Sequence, residues 1–118
     1  MDRWKIKYYA HKNERSPVYE FIEKLPEKTQ SKLINTFDLL QEYGIKVREP
    51  HAKKVIGTPL WELRILGEDN IRIFYIAMVE LTFFLLHGFK KKKQKTPKKE
   101  ILIALNRLKE YTINMPQK

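Results

Sequence analysis

Cysteine is absent from the chain, which removes disulfide scaffolding and thiolate chemistry together. Histidine is scarce: the three present, His11, His51 and His87, are too scattered to suggest a zinc site, so neither a metal nor another cofactor is expected. No apolar run approaches the ~20 residues that a membrane-spanning helix needs. The opening Met1-Asp2-Arg3-Trp4-Lys5 also lacks the apolar stretch of a signal peptide. A soluble, cytoplasmic protein with no membrane partner is therefore expected. Acidic residues are in the minority, 14 against 24 Lys and Arg, which gives a net charge of +10 and a pI near 9.8. Such a chain is drawn to polyanions: nucleic acid, an anionic membrane or an acidic protein. At 118 residues with 42% apolar content, residues 1–118 form one domain with one core. Any catalysis must use Lys, Arg, His, Tyr and carboxylates.

Hydrophobic periodicity orders the elements. Trp4-Lys5-Ile6-Lys7-Tyr8-Tyr9 alternates apolar and basic residues, as a strand with one buried face at or near a sheet edge does. Ser16-Pro17 is an N-cap followed by proline in the first turn, and Val18, Phe21, Ile22 and Leu25 follow at helical spacing. Pro26 opens a second helix with Leu33, Phe37, Leu40 and Tyr43 on one stripe and Gly44 as its stop. Residues 45–59 have no sustained period and read as a basic surface connection. Strands are predicted over 60–66, 71–78 and 81–89, joined by Gly67-Glu68-Asp69-Asn70 and by a tight turn near Val79-Glu80, an antiparallel meander. The nearly continuous apolar run Leu81 to Leu86 marks an inner strand covered on both faces. Thr96-Pro97 repeats the cap-and-proline signal before a last helix with Ile101, Ala104, Leu105, Leu108 and Tyr111 buried, and 112–118 are expected to fray. The fold class is α+β in the order β-α-α-β-β-β-α: a small, mostly antiparallel sheet packed by an N-terminal α-hairpin and a C-terminal helix.

Candidate chemistry concentrates between Leu60 and Pro97. Strand alternation puts Arg64 on a face with Glu62 and Leu60, opposite Trp61, Leu63 and Ile65. There its guanidinium can grip a phosphate bidentately, and an ion pair with Glu62 is the competing structural role. Arg72 shares a face with Phe74 and Ile76, while Tyr75 points the other way into packing. Lys90, Lys91, Lys92 and Lys93, with Lys95, end the last strand and precede a helix N-terminus, a placement suited to phosphate. A solubilising charge run is the alternative. His87, at a strand end, is the conventional acid–base candidate, with His51 behind it and Lys53 and Lys54 as loop contacts. Exposed members of the aromatic set Trp4, Tyr8, Tyr9, Trp61, Phe74, Tyr75 and Phe89 could stack on unpaired bases, though most serve the core.

Pro50-His51, Pro59-Leu60-Trp61-Glu62-Leu63-Arg64, Arg72-Ile73-Phe74-Tyr75, Leu86-His87-Gly88-Phe89 and Lys95-Thr96-Pro97, behind Glu20-Phe21-Ile22-Glu23-Lys24-Leu25-Pro26, follow one another in an order that resembles the RelE/HigB-type toxins. The likeness is to the phage-derived, HigB-like branch of the RelE superfamily and runs from about Trp4 to Tyr111. It implies a RelE-like fold and the toxin of a type II toxin–antitoxin system, a metal-independent endoribonuclease (mRNA interferase) that inhibits growth by cleaving translated mRNA in the ribosomal A site. It also implies a cognate helix-turn-helix antitoxin, encoded beside the toxin, through which alone operator DNA is contacted. By the resemblance, Arg64 is the phosphate-binding arginine and Lys90, Lys91 and Lys92 are the basic residues after the last strand. Lys53 and Lys54 match the family's loop lysines. From the residues themselves, and not from the resemblance, His87 is added to the catalytic set as the acid–base candidate, and His51, Arg72, Lys93 and Lys95 are added as RNA contacts. The family's tyrosine or histidine after the last strand has no counterpart between Phe89 and Tyr111. The alternative class is a non-catalytic basic RNA- or antitoxin-binding module; an amphipathic membrane-surface protein is a third.

Overall fold

Ser16 starts the first helix as its sequence requires. Its hydroxyl accepts from the Tyr19 backbone N–H at 3.2 Å, and Pro17 fills the first turn, where no N–H is needed. The computed structural model describes residues 3–65, 67, 70–92 and 94–114, the last two of these without side chains. Among them the elements are β1 (Lys5–Tyr8), α1 (Pro17–Glu23), α2 (Glu27–Tyr43), a 3-10 turn (Gly44–Lys46), β2 (Ala52–Lys54), β3 (Trp61–Ile65), β4 (Ile71–Met78), β5 (Thr82–Lys90) and α3 (Lys98–Asn114). The α+β expectation holds, with one strand added. β2 lies inside the segment read as a surface connection, because three residues with two exposed lysines carry no periodic signal; β3 offers it an open edge and the two pair antiparallel. Pro26 is the N-cap of α2 and not its first residue. The last helix continues through Asn114, past the point where fraying was expected, and 115–118 lie outside the described residues, as do Glu68 and Asp69 of the first hairpin turn.

Strands pair in the order β1-β5-β4-β3-β2, with β1 at one edge, parallel to β5, and the other pairs antiparallel. β5 is thus an inner strand, and Phe83, Phe84, Leu85 and Leu86 are all buried. Phe74 pairs with His87 but Tyr75 pairs with Leu85, so Leu86 is an extra residue in β5. The bulge reverses side-chain parity along the strand. The face that carries Phe84 before it carries His87 and Phe89 after it.

That face meets α3: Phe84 packs on Tyr111, and His87 bonds Glu100. The opposite face meets α1 and α2. Phe21 of α1 lies over Gly88, where an added Cβ would fall 2.6 Å from its ring, so glycine sets how closely the helix approaches. At the end of α2, Gly44 has φ +61°, and a Cβ there would stand 2.3 Å from the Trp4 indole nitrogen. Backbone strain and collision act together at this position. Gly44→Ala is expected to destabilise the fold by about 2–3 kcal/mol, measured as a lowered urea midpoint at unchanged slope.

Candidate active site

Alternation along β3 turns Glu62 and Arg64 to the α3 side, and the β3/β4 register sets Arg64 directly opposite Arg72. Two guanidiniums so placed repel each other. The buried Glu62 carboxylate answers both, its Oε1 lying 3.5 Å from Arg64 Nε and 3.2 Å from Arg72 Nε. Neither Nε–H is aligned on it as a hydrogen bond, so the cluster is held by charge. The other oxygen, Oε2, accepts from the Thr96 hydroxyl at 3.0 Å, which ties the approach to α3 onto β3. Burial lowers the Arg72 pKa; Glu62 opposes that shift and Arg64 adds to it. Arg72 also donates to its neighbour's carbonyl, Ile71 O, at 3.1 Å.

Arg64 differs from Arg72 in having its terminal amino groups unengaged among the described residues, and it lines a cleft of about 480 Å³. Around it stand Lys53, Lys54, Lys91, Lys95 and Thr96. β2 delivers Lys53, which its register places opposite Glu62, and Lys54, opposite Trp61 at the end of this edge strand, also lines the cleft. Lys54 Nζ is tied to Thr58 O at 2.6 Å. Lys91 continues the strand, donating its N–H to Asn70 O at 3.0 Å. Cations converging on one hollow can bind a phosphodiester and stabilise added negative charge on it.

The remaining expected site residues that are described lie outside this cleft. Arg72 sits deeper, against Glu62. Lys90 ends β5 opposite Ile71, Lys92 is exposed beyond it, and Lys93 falls outside the described residues. His51 accepts the Arg64 backbone N–H on its own carbonyl at 2.8 Å, so it braces the strand that carries Arg64; its buried Nδ1 has no hydrogen-bond partner among the described residues. His87 is engaged elsewhere. Its Nε2 lies 3.1 Å from Glu100 Oε1, its Nδ1 3.3 Å from an Arg107 amino group, and its ring stacks on Phe89. Tyr75 packs among Trp61 and Phe83 as expected, with burial pushing its pKa far up. The Arg64–Glu62 pair, expected as the competing structural role, is present; Arg72 on the same carboxylate, and Thr96 as its hydrogen-bond partner, were not singled out from sequence.

Burial is the largest influence on His87 and lowers its pKa; the Glu100 hydrogen bond opposes this and Arg107 reinforces it. The folded protein therefore holds this proton less readily than the unfolded chain. Stability is complete above the ordinary histidine value of about 6.5 and falls as pH drops through the window beneath it. His87→Gln should flatten that part of a plot of melting temperature against pH, and an unchanged slope would show that another group controls it.

Among the described residues no cluster of three or more His, Asp or Glu side chains could hold a metal ion, and no helix is long and apolar enough to cross a membrane. Residues 20–109 match the family described as "Phage derived protein Gp49-like (DUF891)". No curated protein matches. Among solved structures, a chain from the crystal structure of the archaeal RelE–RelB complex of Pyrococcus horikoshii OT3 superposes with a TM-score of 0.57 at 22% identity, covering 76% of this chain and 97% of that one. At that identity the likeness is one of fold. Taken with the motifs from Pro50 to Pro97, the chain belongs to the phage-derived Gp49-like family and has the fold of the RelE-type toxins.

Proposed function

We propose that this chain is the toxin of a type II toxin–antitoxin pair and acts as a ribosome-dependent endoribonuclease on translated mRNA. The observation that carries the reading is Arg64, anchored through Nε by buried Glu62 while its amino groups face a cleft of lysines. In the proposed reaction the substrate's own 2′-oxygen bonds to the adjacent phosphorus and the P–O5′ bond breaks. The products are a 2′,3′-cyclic phosphate and a 5′-hydroxyl end. Arg64 holds the scissile phosphate and stabilises the charge that grows on its oxygens. With His87 occupied by Glu100 and Arg107, the protons of the 2′-hydroxyl and of the leaving oxygen fall to the cleft lysines, Lys91 and Lys95 foremost. The ribosome supplies the orientation that so open a site does not. The cognate partner is a helix-turn-helix antitoxin encoded alongside, and both act in the cytoplasm.

Inducing the wild-type chain and Arg64→Ala in growing bacteria, with new 5′ ends of cellular mRNA mapped, tests this. Growth arrest with cuts on translated messages, lost in the variant, is the expected result. Unchanged message ends and normal growth with folded wild-type protein would overturn it.

One observation favours a second reading, a basic binding module without catalysis: among the described residues no histidine or tyrosine lines the cleft, and its carboxylate, Glu62, is taken up by Arg64, Arg72 and Thr96. That reading expects RNA affinity that falls steeply with salt and no product. Arg64→Ala would then weaken binding and change nothing else.

A further inference from the structure

Neighbouring residues of β3 project to opposite faces, so Trp61 lies on the far side of the sheet from Glu62 and the cleft. There it lines a cavity of about 250 Å³ with Ile45, Arg48, Tyr75, Ala77 and Phe83. A wider hollow of about 820 Å³ opens beside it, with Trp4, Tyr43, Ile45 and Leu81 among its walls. Ile45 belongs to both, and the Trp4 ring stacks on Phe83 at 4.3 Å, so the two form one groove. Its apolar walls are open: Ile45 is 58% exposed, Tyr43 52% and Leu81 43%. An open apolar surface of this continuity marks an interaction site and not scattered exposure.

The rim identifies the occupant. Lys46 and Arg48 stand around the groove against one carboxylate, Glu42, while Arg3 at its margin is already paired with Asp38 at 3.3 Å. Arg48 is fixed in place, its guanidinium 4.8 Å from the Trp61 ring centroid and bonded to the carbonyls of Ile45 and Val47. A second copy of the chain would bring +10 against +10 and set these cations against their own images in a two-fold contact. A nucleic acid would satisfy the rim but offers no aliphatic group for the floor. We propose that the groove docks an acidic amphipathic segment of a protein partner. One apolar side chain of that segment enters the hollow between Trp61, Tyr75 and Phe83, and its carboxylates meet Arg48 and Lys46. The inference rests on the toxin reading only in naming that partner as the antitoxin. Because the groove and the cleft lie on opposite faces, docking here leaves the cleft open, and the antitoxin must silence it by another segment or by holding the toxin off the ribosome.

The chain's two tryptophans, Trp4 and Trp61, both line the groove, so their indole N–H signals report on it directly. The ¹⁵N-labelled full chain would be titrated with a synthetic helical peptide bearing leucines at i, i+3, i+4 and i+7 and glutamates elsewhere. A scrambled peptide of the same composition and an oligouridylate serve as comparisons. Saturable movement of both indole signals with the patterned peptide alone is expected, and Ile45→Glu or Arg48→Glu should each weaken it by about tenfold or more. Arg64→Ala should bind the peptide as wild type does. Equal response to the scrambled peptide or to oligouridylate would overturn the proposal, as would binding that survives both groove variants. A concentration-dependent dimer abolished by Ile45→Glu would assign the groove to a second copy instead. Neither groove variant touches the cleft, so message cutting that persists in Ile45→Glu separates failure here from failure of the nuclease reading.

Discussion

Replacing Glu62 by alanine is expected to lower stability by about 3 kcal/mol and the melting midpoint by on the order of 10 °C. The carboxylate is the counter-charge for two arginines that stand directly opposite each other across β3 and β4. Without it two largely enclosed guanidiniums face each other with no counter-charge between them, near the cleft lysines. A fully buried pair that loses one partner costs about 3–5 kcal/mol. Here the arginine side chains keep 23% and 15% exposure, so water screens part of the repulsion and the lower end applies. Thr96 adds a smaller share, since Thr96→Val removes one hydrogen bond to a charged acceptor and should cost about 1.5 kcal/mol. The double variant Glu62→Leu with Arg72→Leu removes the conflict as well as the pair and should recover much of the loss. Thermal unfolding followed by circular dichroism measures all three. If Glu62→Ala melted with wild type, the cluster would contribute no stability and the three-way charge balance would be wrong.

Where a signal was local, the sequence carried it. Ser16-Pro17 marks a helix start through groups two or three residues apart, and the alternation of Trp61-Glu62-Leu63-Arg64 places Arg64 with Glu62 whatever the rest of the chain does. The meander from β3 to β5 follows in the same way from short turns and apolar runs. Features that need a distant partner were hidden. β2 exists only because β3 has a free edge to offer, and its own three residues show nothing periodic. β1 pairs in parallel with β5 across most of the chain's length, a choice that its alternating pattern permits but does not specify. The site divides along the same line. Arg64 was legible as a cation on the open face of its strand and Lys53, Lys54, Lys91 and Lys95 as basic residues, but their convergence on one cleft depends on β2 and on the turn into α3. The one-residue bulge at Leu86 puts His87 on the cleft's face of the sheet, but Glu100 and Arg107 take both of its nitrogens there, and partners 13 and 20 residues further on leave no mark in its local sequence.

Arg64→Ala is expected to slow single-turnover cleavage of a ribosome-bound message by about 10²–10³-fold, the usual loss when a fixed donor to a developing oxyanion is removed. Stability should change much less, because Glu62 keeps Arg72 and Thr96 as partners. Arg64→Lys separates charge from shape. Its ammonium restores a cation at the same strand position, but not the planar fork that spans two phosphate oxygens, and the Glu62 contact through Nε is lost with the guanidinium. It should therefore recover only part of the rate. The partition between kcat and KM carries the mechanism further. If Arg64 meets the charge that appears as the 2′-oxygen attacks, the rate at saturating ribosome falls and KM hardly moves. A rise in KM with kcat intact would make Arg64 a ground-state phosphate ligand and move charge stabilisation to Lys91 and Lys95. A wild-type rate in Arg64→Ala would remove the cleft from the reaction altogether.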